Sequence, residues 1–475
     1  MPNISFSSII LATKNAFAVL KKEGGFDNLT GQFSKLKKSR FVRDVTIVAG
    51  GTAVAQAITV AFSPIITRLY GPEAFGVLGV FVAIIAMLTP VATLSYALAI
   101  VLPASDGDAR ALAKLSLIIA LCVAAVIAVV FGFFHQQIAH LFGFEASALY
   151  LLIIPIVILL TASEQVLSQW LIRKKQFRAI SGVAVAQAAT VNVSKTGVGL
   201  LMATAPVLLI INAIGHILHT IFLWFGAQST LSDRVSQNIV SVSAQKASMK
   251  DLANTYRDYP LFRSPQIMLN SISQNIPTLM LAAFFGPIPA GFYALTRRVL
   301  TLPKSLISQS VGKVFFPRIA ALAQQGKDLQ PYIVKATGGL ALIGLLPFGI
   351  VILFGPWIFS FIFGSEWFIA GEYARWLSLW LYFTFLNVPS VQAIPLLDLQ
   401  GHFLVYEVLS ITVRSSAIAF GALVLSSDVV AIMLFSIGGA VLNVLLISWV
   451  ILRSKNRVRK NLGERVRPGH KENRQ

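Results

Sequence analysis

The chain is poor in cysteine, histidine and acidic residues. A single cysteine, Cys122, in 475 residues excludes a disulfide framework and any cysteine-based zinc or redox motif. The six histidines are scattered, so no metal site is expected, and nothing calls for a cofactor. Charged residues make up 12% of the chain against 56% hydrophobic, whereas soluble domains carry about 25% charged residues. The composition argues against a soluble enzyme. No phosphate-cradling glycine loop and no nucleophile–base pair is recognisable.

What the chain has in excess is apolar length. A bilayer core about 30 Å thick needs roughly 20 mostly apolar residues per helix. About twelve such stretches occur, at 45–67, 74–102, 115–134, 147–171, 179–203, 206–228, 261–285, 290–316, 332–354, 373–395, 404–426 and 428–452. Runs such as LSLIIALCVAAVIAVVFGFF do not alternate apolar with polar residues, as strands of a membrane barrel must. The predicted fold is an all-α polytopic membrane protein.

The remaining charge is one-sided, with 39 Lys and Arg against 19 Asp and Glu. When the connections are assigned alternately to two faces, 29 Lys and Arg fall on one face and only Arg68 on the other. The positive-inside bias then places both termini in the cytoplasm. These basic clusters flank membrane helices and lack interleaved aromatics, so nucleic acid is not an expected partner. Residues 1–44 read as a basic segment lying on the anionic inner leaflet. A cleaved signal peptide is the alternative, although Lys14 interrupts its apolar run.

The longest interior connection divides the spans six and six. Tyr70-Gly71-Pro72-Glu73-Ala74-Phe75-Gly76 aligns with Phe285-Gly286-Pro287-Ile288-Pro289-Ala290-Gly291, 215 positions on, and Leu141-Phe142-Gly143-Phe144-Glu145 with Ile362-Phe363-Gly364-Ser365-Glu366, 221 positions on. Two matches in register predict a duplication. Six helices per copy make the repeat parallel, with a cleft between the lobes of the kind transporters use. The expected organisation is a basic segment 1–44, an N-lobe 45–228, a cytoplasmic loop 229–260, a C-lobe 261–452 and a basic tail 453–475.

Polar residues inside the spans form stripes. Thr52, Gln56, Thr59 and Ser63 fall within an arc of about 60° on the first span, and Arg263, Gln266, Asn270 and Gln274 within about 80° on the seventh. Asn212, His216 and His219 do the same over about 60° on the sixth. Such stripes either line a cavity or hydrogen-bond between helices. Lys195, Arg297, Arg298, Lys304 and Arg414 lie deep within spans. At about 2.5–3.5 kcal/mol each, exposing all five to lipid would cost about 12–18 kcal/mol, so they face protein or water.

Few acids are available to pair with these cations, chiefly Glu164, Glu372 and Glu407. An unpaired cluster suits an anion, and phosphate fits both the guanidinium fork and the lysine point charge. Internal ion pairing is the alternative. Arg68, Arg263, Lys313 and Arg375 are secondary candidates, with Gln56, Asn270 and Gln274 as polar lining; Lys335, like several of these, is near enough a span end to snorkel. Glu164, His216 and His219 either relay protons or hydrogen-bond structurally.

Three stretches carry a resemblance: TRLYGPEAFGVLGVF (67–81), residues 263–320 around FFGPIPAGFYALTRRVLTLPKS, and FGSEWFIAGEYARWL (363–377). Over about residues 40–452 the chain resembles bacterial polysaccharide-biosynthesis transporters, the oligosaccharide-unit flippases of the multidrug/oligosaccharidyl-lipid/polysaccharide (MOP) superfamily. The resemblance implies a two-lobed, MATE-like bundle of twelve to fourteen helices in the bacterial inner membrane. It also implies movement of an undecaprenyl-diphosphate-linked oligosaccharide from the cytoplasmic to the periplasmic leaflet for O-antigen, capsule or exopolysaccharide assembly. Membrane lipids, a polysaccharide polymerase and chain-length proteins would be its partners. Gly71, Pro72, Gly76, Gly286, Gly291, Arg297, Arg298 and Pro303 match family-pattern positions. A cation-coupled drug exporter of the same superfamily would need acids deep in the cleft. A membrane polysaccharide polymerase or ligase would need large loops opposite the basic face, where residues 355–372 form a short aromatic connection.

Overall fold

In a computed structural model the structure describes residues 40–232 and 248–465, with side chains over 47–228, 248–301 and 315–455. The predicted segment 1–44 and the loop 229–260 therefore lie partly outside the described residues, and the last part of the tail does so too.

Fourteen α-helices are described: α1 Arg40–Ala92, α2 Tyr96–Ala99, α3 Asp106–Leu141, α4 Ile154–Arg173, α5 Phe177–Gly199, α6 Ala205–Ser232, α7 Met249–Thr255, α8 Ser264–Phe285, α9 Pro287–Gln324, α10 Gln330–Phe363, α11 Phe368–Leu386, α12 Val388–Ala393, α13 Gln400–Leu423 and α14 Asp428–Arg465. Among the described residues there is no strand. Each predicted span overlaps one or two of these helices, and α1 carries the first and most of the second, broken at Gly71. Among the described residues, seven helical stretches are apolar and long enough to cross a membrane. The predicted spans 179–203, 261–285 and 373–395 are not among them, and 290–316 is only partly described.

Four boundaries differ from the sequence expectation. The span 373–395 is divided at Asn387 between α11 and α12 and ends in a 3-10 turn, Pro395–Leu397. The stretch 74–102 is not one helix: Leu94 and Ser95 adopt positive φ of 46° and 60°, ending α1 before the short α2. The loop 229–260 contains α7, opened by a Ser248/Asp251 capping box. The tail expected from residue 453 continues α14 to Arg465, since Lys, Arg, Leu and Glu sustain a helix without burial.

The sequence repeat reappears in the backbone. Gly71 (φ 67°, ψ 174°) and Gly286 (φ 85°, ψ −175°) take the same conformation, and each precedes a proline that starts a helix. A side chain would strain that positive φ, so glycine is required at both places. Gly143 and Gly364 also have positive φ, and each is followed by a 3-10 turn, Glu145–Ile153 and Ser365–Trp367. All four glycines end odd-numbered spans, so they share the face on which Arg68 alone of the connecting basic residues falls, here termed the distal face.

The two copies meet on that face with reciprocal contacts. A Cβ on Gly76 would strike the Pro287 carbonyl, and one on Gly291 would strike the Pro72 carbonyl. The Trp367 indole N–H donates to the Thr67 carbonyl at 3.2 Å, and its ring meets Phe75 and Phe292 edge-on at 5.3 and 6.0 Å. These rings belong to a core that runs from Ile66 to Phe435. The distal half of the bundle is thereby closed by backbone and aromatic packing.

Candidate functional site

Behind the distal seam the helices separate around two cavities. The first, about 650 Å³, is lined by Thr52, Gln56 and Thr59 of α1, by α5, and by α9 through Arg298. The second, about 800 Å³, lies among α8, α9, α11 and α13. Arg297 and Thr301 line both, so α9 forms the divide. The lining of the second cavity comes from the middle of the helices and the ends nearer the basic face, whereas the first also reaches Phe75 and Gly79 beside the distal seam.

Three of the five deep cations predicted from sequence converge on the first cavity. Lys195 comes from α5 and is 8% exposed; Arg298 and Arg297 come from α9. No acidic residue is among those that line this cavity. Arg297 is oriented by Gln274, donating to its carbonyl and to its Oε1, the latter at 3.0 Å, and Gln274 in turn donates to Asn270 Oδ1 at 2.7 Å. Arg414 lines the second cavity. Its guanidinium stacks over Trp380 at 5.2 Å and Phe435 at 5.5 Å, and Nε donates to the Ser410 carbonyl at 3.0 Å. Lys304 and Lys313 sit on α9, but their side chains lie outside the described residues.

The polar stripes divide between the two roles open to them. Thr52, Gln56 and Thr59 line the first cavity, with Asn192 donating to Thr59 Oγ1 at 3.3 Å; Ser63 is not among the lining residues. Asn270 and Gln274 line the second. Arg263 instead bonds Gln266 at 3.0 Å at the start of the helix. On the sixth span Asn212 reaches the first cavity, whereas His216 and His219 turn to Glu164 at 3.0 and 3.3 Å. That carboxylate is paired with histidines and lines neither cavity.

Two secondary candidates are occupied elsewhere. Arg68 donates to the Phe361 carbonyl at 2.7 Å on the distal face, where it ties the two copies together. Arg375 pairs with Glu372 at 3.0 Å and donates to the Ile352 carbonyl at 3.0 Å. Neither lines either of these two cavities. Sequence reasoning missed Tyr406, Trp380, Asn387 and Asn443, because an aromatic or amide inside an apolar run has no spacing that separates lining from packing.

With this geometry in hand, comparison with known proteins settles the family. A family model described as polysaccharide biosynthesis protein matches residues 65–370, which include both glycine–proline repeats and Arg297 and Arg298 of α9. The chain belongs to the polysaccharide biosynthesis protein family. Its family and its long apolar helices make it a multi-pass membrane protein, and its fold is shared with solved structures of the MOP superfamily. An inward-facing multidrug resistance MATE transporter of that superfamily superposes with a TM-score of 0.65 at 14% identity, over 85% of this chain and 96% of that one. The lipid II flippase MurJ, in an inward closed conformation, gives 0.61 at 15% identity over 86% and 90%. A MOP superfamily transporter from Pyrococcus furiosus gives 0.54 at 14% identity over 87% and 96%. At such identities these likenesses establish the fold alone. No curated protein matches the sequence.

For a member of this polysaccharide biosynthesis family, the arrangement has a clear chemical capacity. Lys195 and Arg298 approach one water-accessible space from the two copies of the repeat, without a carboxylate between them. An anion there gains charge-assisted hydrogen bonds to both, and it links the copies through itself.

Proposed function

We propose that this protein moves undecaprenyl-diphosphate-linked oligosaccharide units from the cytoplasmic to the periplasmic leaflet of the bacterial inner membrane. The single observation that carries the reading is the acid-free cavity in which Lys195 meets Arg297 and Arg298. A diphosphate is the membrane-borne anion that such a site suits. The two six-helix lobes, 45–228 and 261–452, would rock about their shared seam so that the cavity faces each side in turn. The basic face is the cytoplasmic one, with both termini there. The product feeds O-antigen, capsule or exopolysaccharide assembly, where a polymerase and chain-length proteins receive it.

Export of cationic drugs is the weaker reading, because Glu407 is the only acid among the residues lining the two cavities and it shares its cavity with Arg297 and Arg414. Glu164, held by His216 and His219, is the candidate for proton coupling, as intramembrane ionisable groups often are. The test is a chromosomal double substitution, Lys195→Ala with Arg298→Ala. Surface glycan should be lost while the lipid-linked unit accumulates on the cytoplasmic leaflet and the protein remains inserted. Normal surface glycan would overturn the assignment.

A further inference from the structure

The two cavities differ in chemistry, although they share Arg297 and Thr301. The first combines cations with amides and threonines. The second is walled by aromatic rings, with one carboxylate, one further arginine and several amides. On α13, Phe403 and Tyr406 stack at 5.9 Å with their planes only 16° apart. Glu407 is the next residue along the same wall, and Trp380 joins from α11. Asn387 is 4% exposed and donates to Asn443 Oδ1 at 2.9 Å. Its own Oδ1 has no hydrogen-bond partner among the described residues.

We infer that this second cavity is a saccharide subsite. A pyranose ring presents apolar C–H faces and a rim of hydroxyls. Aromatic faces match the former, and carboxylates, amides and guanidinium groups match the latter with hydrogen bonds. The other occupants suggested by the proposed substrate fit less well. A prenyl chain would offer no hydrogen bond to the Glu407 carboxylate or to Asn387 Oδ1, at a cost for each polar group it covers. A second phosphate would meet the Glu407 carboxylate. The volume, about 800 Å³, lies within the ~300–1,000 Å³ usual for ligand pockets.

The inference rests on the proposed transport of a lipid-linked oligosaccharide and divides that substrate between two spaces. The diphosphate sits at Lys195 and Arg298, Arg297 lies at the junction, and the sugars extend over Tyr406 and Trp380. Because α9 forms the divide, one substrate would engage both spaces across it.

The test uses the full-length protein in lipid nanodiscs with two probes. One is the lipid-linked oligosaccharide extracted from the native host; the other is undecaprenyl diphosphate without sugar. Tyr406→Ala and the near-isosteric Glu407→Gln should each weaken binding of the glycosylated probe about tenfold, equivalent to ~1.4 kcal/mol, and leave the sugar-free probe unchanged. Lys195→Ala should weaken both. Equal losses for both probes in the Tyr406 and Glu407 variants would overturn the subsite, as would no loss for the glycosylated probe in either. If the wild type does not bind the sugar-free probe, or Lys195→Ala alters neither, the diphosphate reading fails instead. The subsite is then judged on the glycosylated probe alone.

Discussion

Replacing Gly291 by alanine perturbs the closed distal face at one point without removing any side chain. In the closed arrangement a Cβ at 291 would overlap the Pro72 carbonyl and lie 2.9 Å from the Gly76 nitrogen, whereas ordinary contact begins near 3.4 Å. Restoring that one contact requires α1 and α9 to part by about 0.5 Å, and the carbonyl requires more. Overpacking of this kind costs about 1–3 kcal/mol. If opening of the distal face relieves the overlap, the cost shifts the closed–open equilibrium by about 5–150-fold. The assay needs a single reporter thiol. Cys122, the only cysteine and an exposed one, is changed to serine, and Asn275→Cys places a thiol in the first cavity. In right-side-out vesicles, a charged thiol reagent added from the distal side should label the Gly291→Ala protein faster than its parent by that factor. Gly132→Ala is the control, because nothing lies within 4 Å of a Cβ there. Equal labelling of the Gly291→Ala and Gly132→Ala proteins, both inserted and folded, would refute the argument that this backbone contact holds the distal face shut.

Arg298→Ala should reduce affinity for inorganic pyrophosphate by about 10–150-fold, the loss of a charge-assisted bond worth roughly 1.5–3 kcal/mol; calorimetry on the nanodisc-embedded protein checks this, and an unchanged affinity removes Arg298 from the anion site. Arg173→Ala should destabilise the fold by about 1.5–3 kcal/mol, the worth of a charge-assisted hydrogen bond, because Arg173 holds Asp106 at 3.1 Å and the Pro103 carbonyl at 2.6 Å while Lys174 keeps Asp106 paired at 2.6 Å in the variant. An unfolding temperature equal to that of the parent in detergent would contradict it. Glu164→Gln should leave binding of the glycosylated lipid intact and abolish the response of transport in proteoliposomes to an imposed pH gradient, whereas a preserved response assigns Glu164, His216 and His219 to structure only.

Much of the architecture was legible because its causes are local or periodic. A glycine–proline pair demands a particular backbone, so Gly71 and Gly286 marked equivalent places in both copies before their φ values were known. The stripe on the first span pointed to the cavity because helical periodicity sets which residues share a face. The secondary cations were not separable in the same way. Arg68 and Arg375 find carbonyl partners at Phe361 and Ile352, 293 and 23 residues away, and no spacing rule encodes such a pairing. Tyr406 and Trp380 were silent because their neighbours along the chain are as apolar as those of any packed ring.

Composition and periodicity by themselves determined that this chain is an all-α membrane protein, duplicated, with cations too deep to face lipid. Those conclusions follow from solvation, which acts on each residue whatever its distant neighbours are. Only the tertiary structure decided which cations share a space, that Glu164 is bound to histidines rather than to them, and that Tyr406, Trp380 and Glu407 gather with Arg414 in a cavity across α9 from Lys195 and Arg298. Those outcomes depend on where helices from the two halves of the chain come to lie against one another, and the packing of Gly76 on Pro287 and Gly291 on Pro72 fixes that placement.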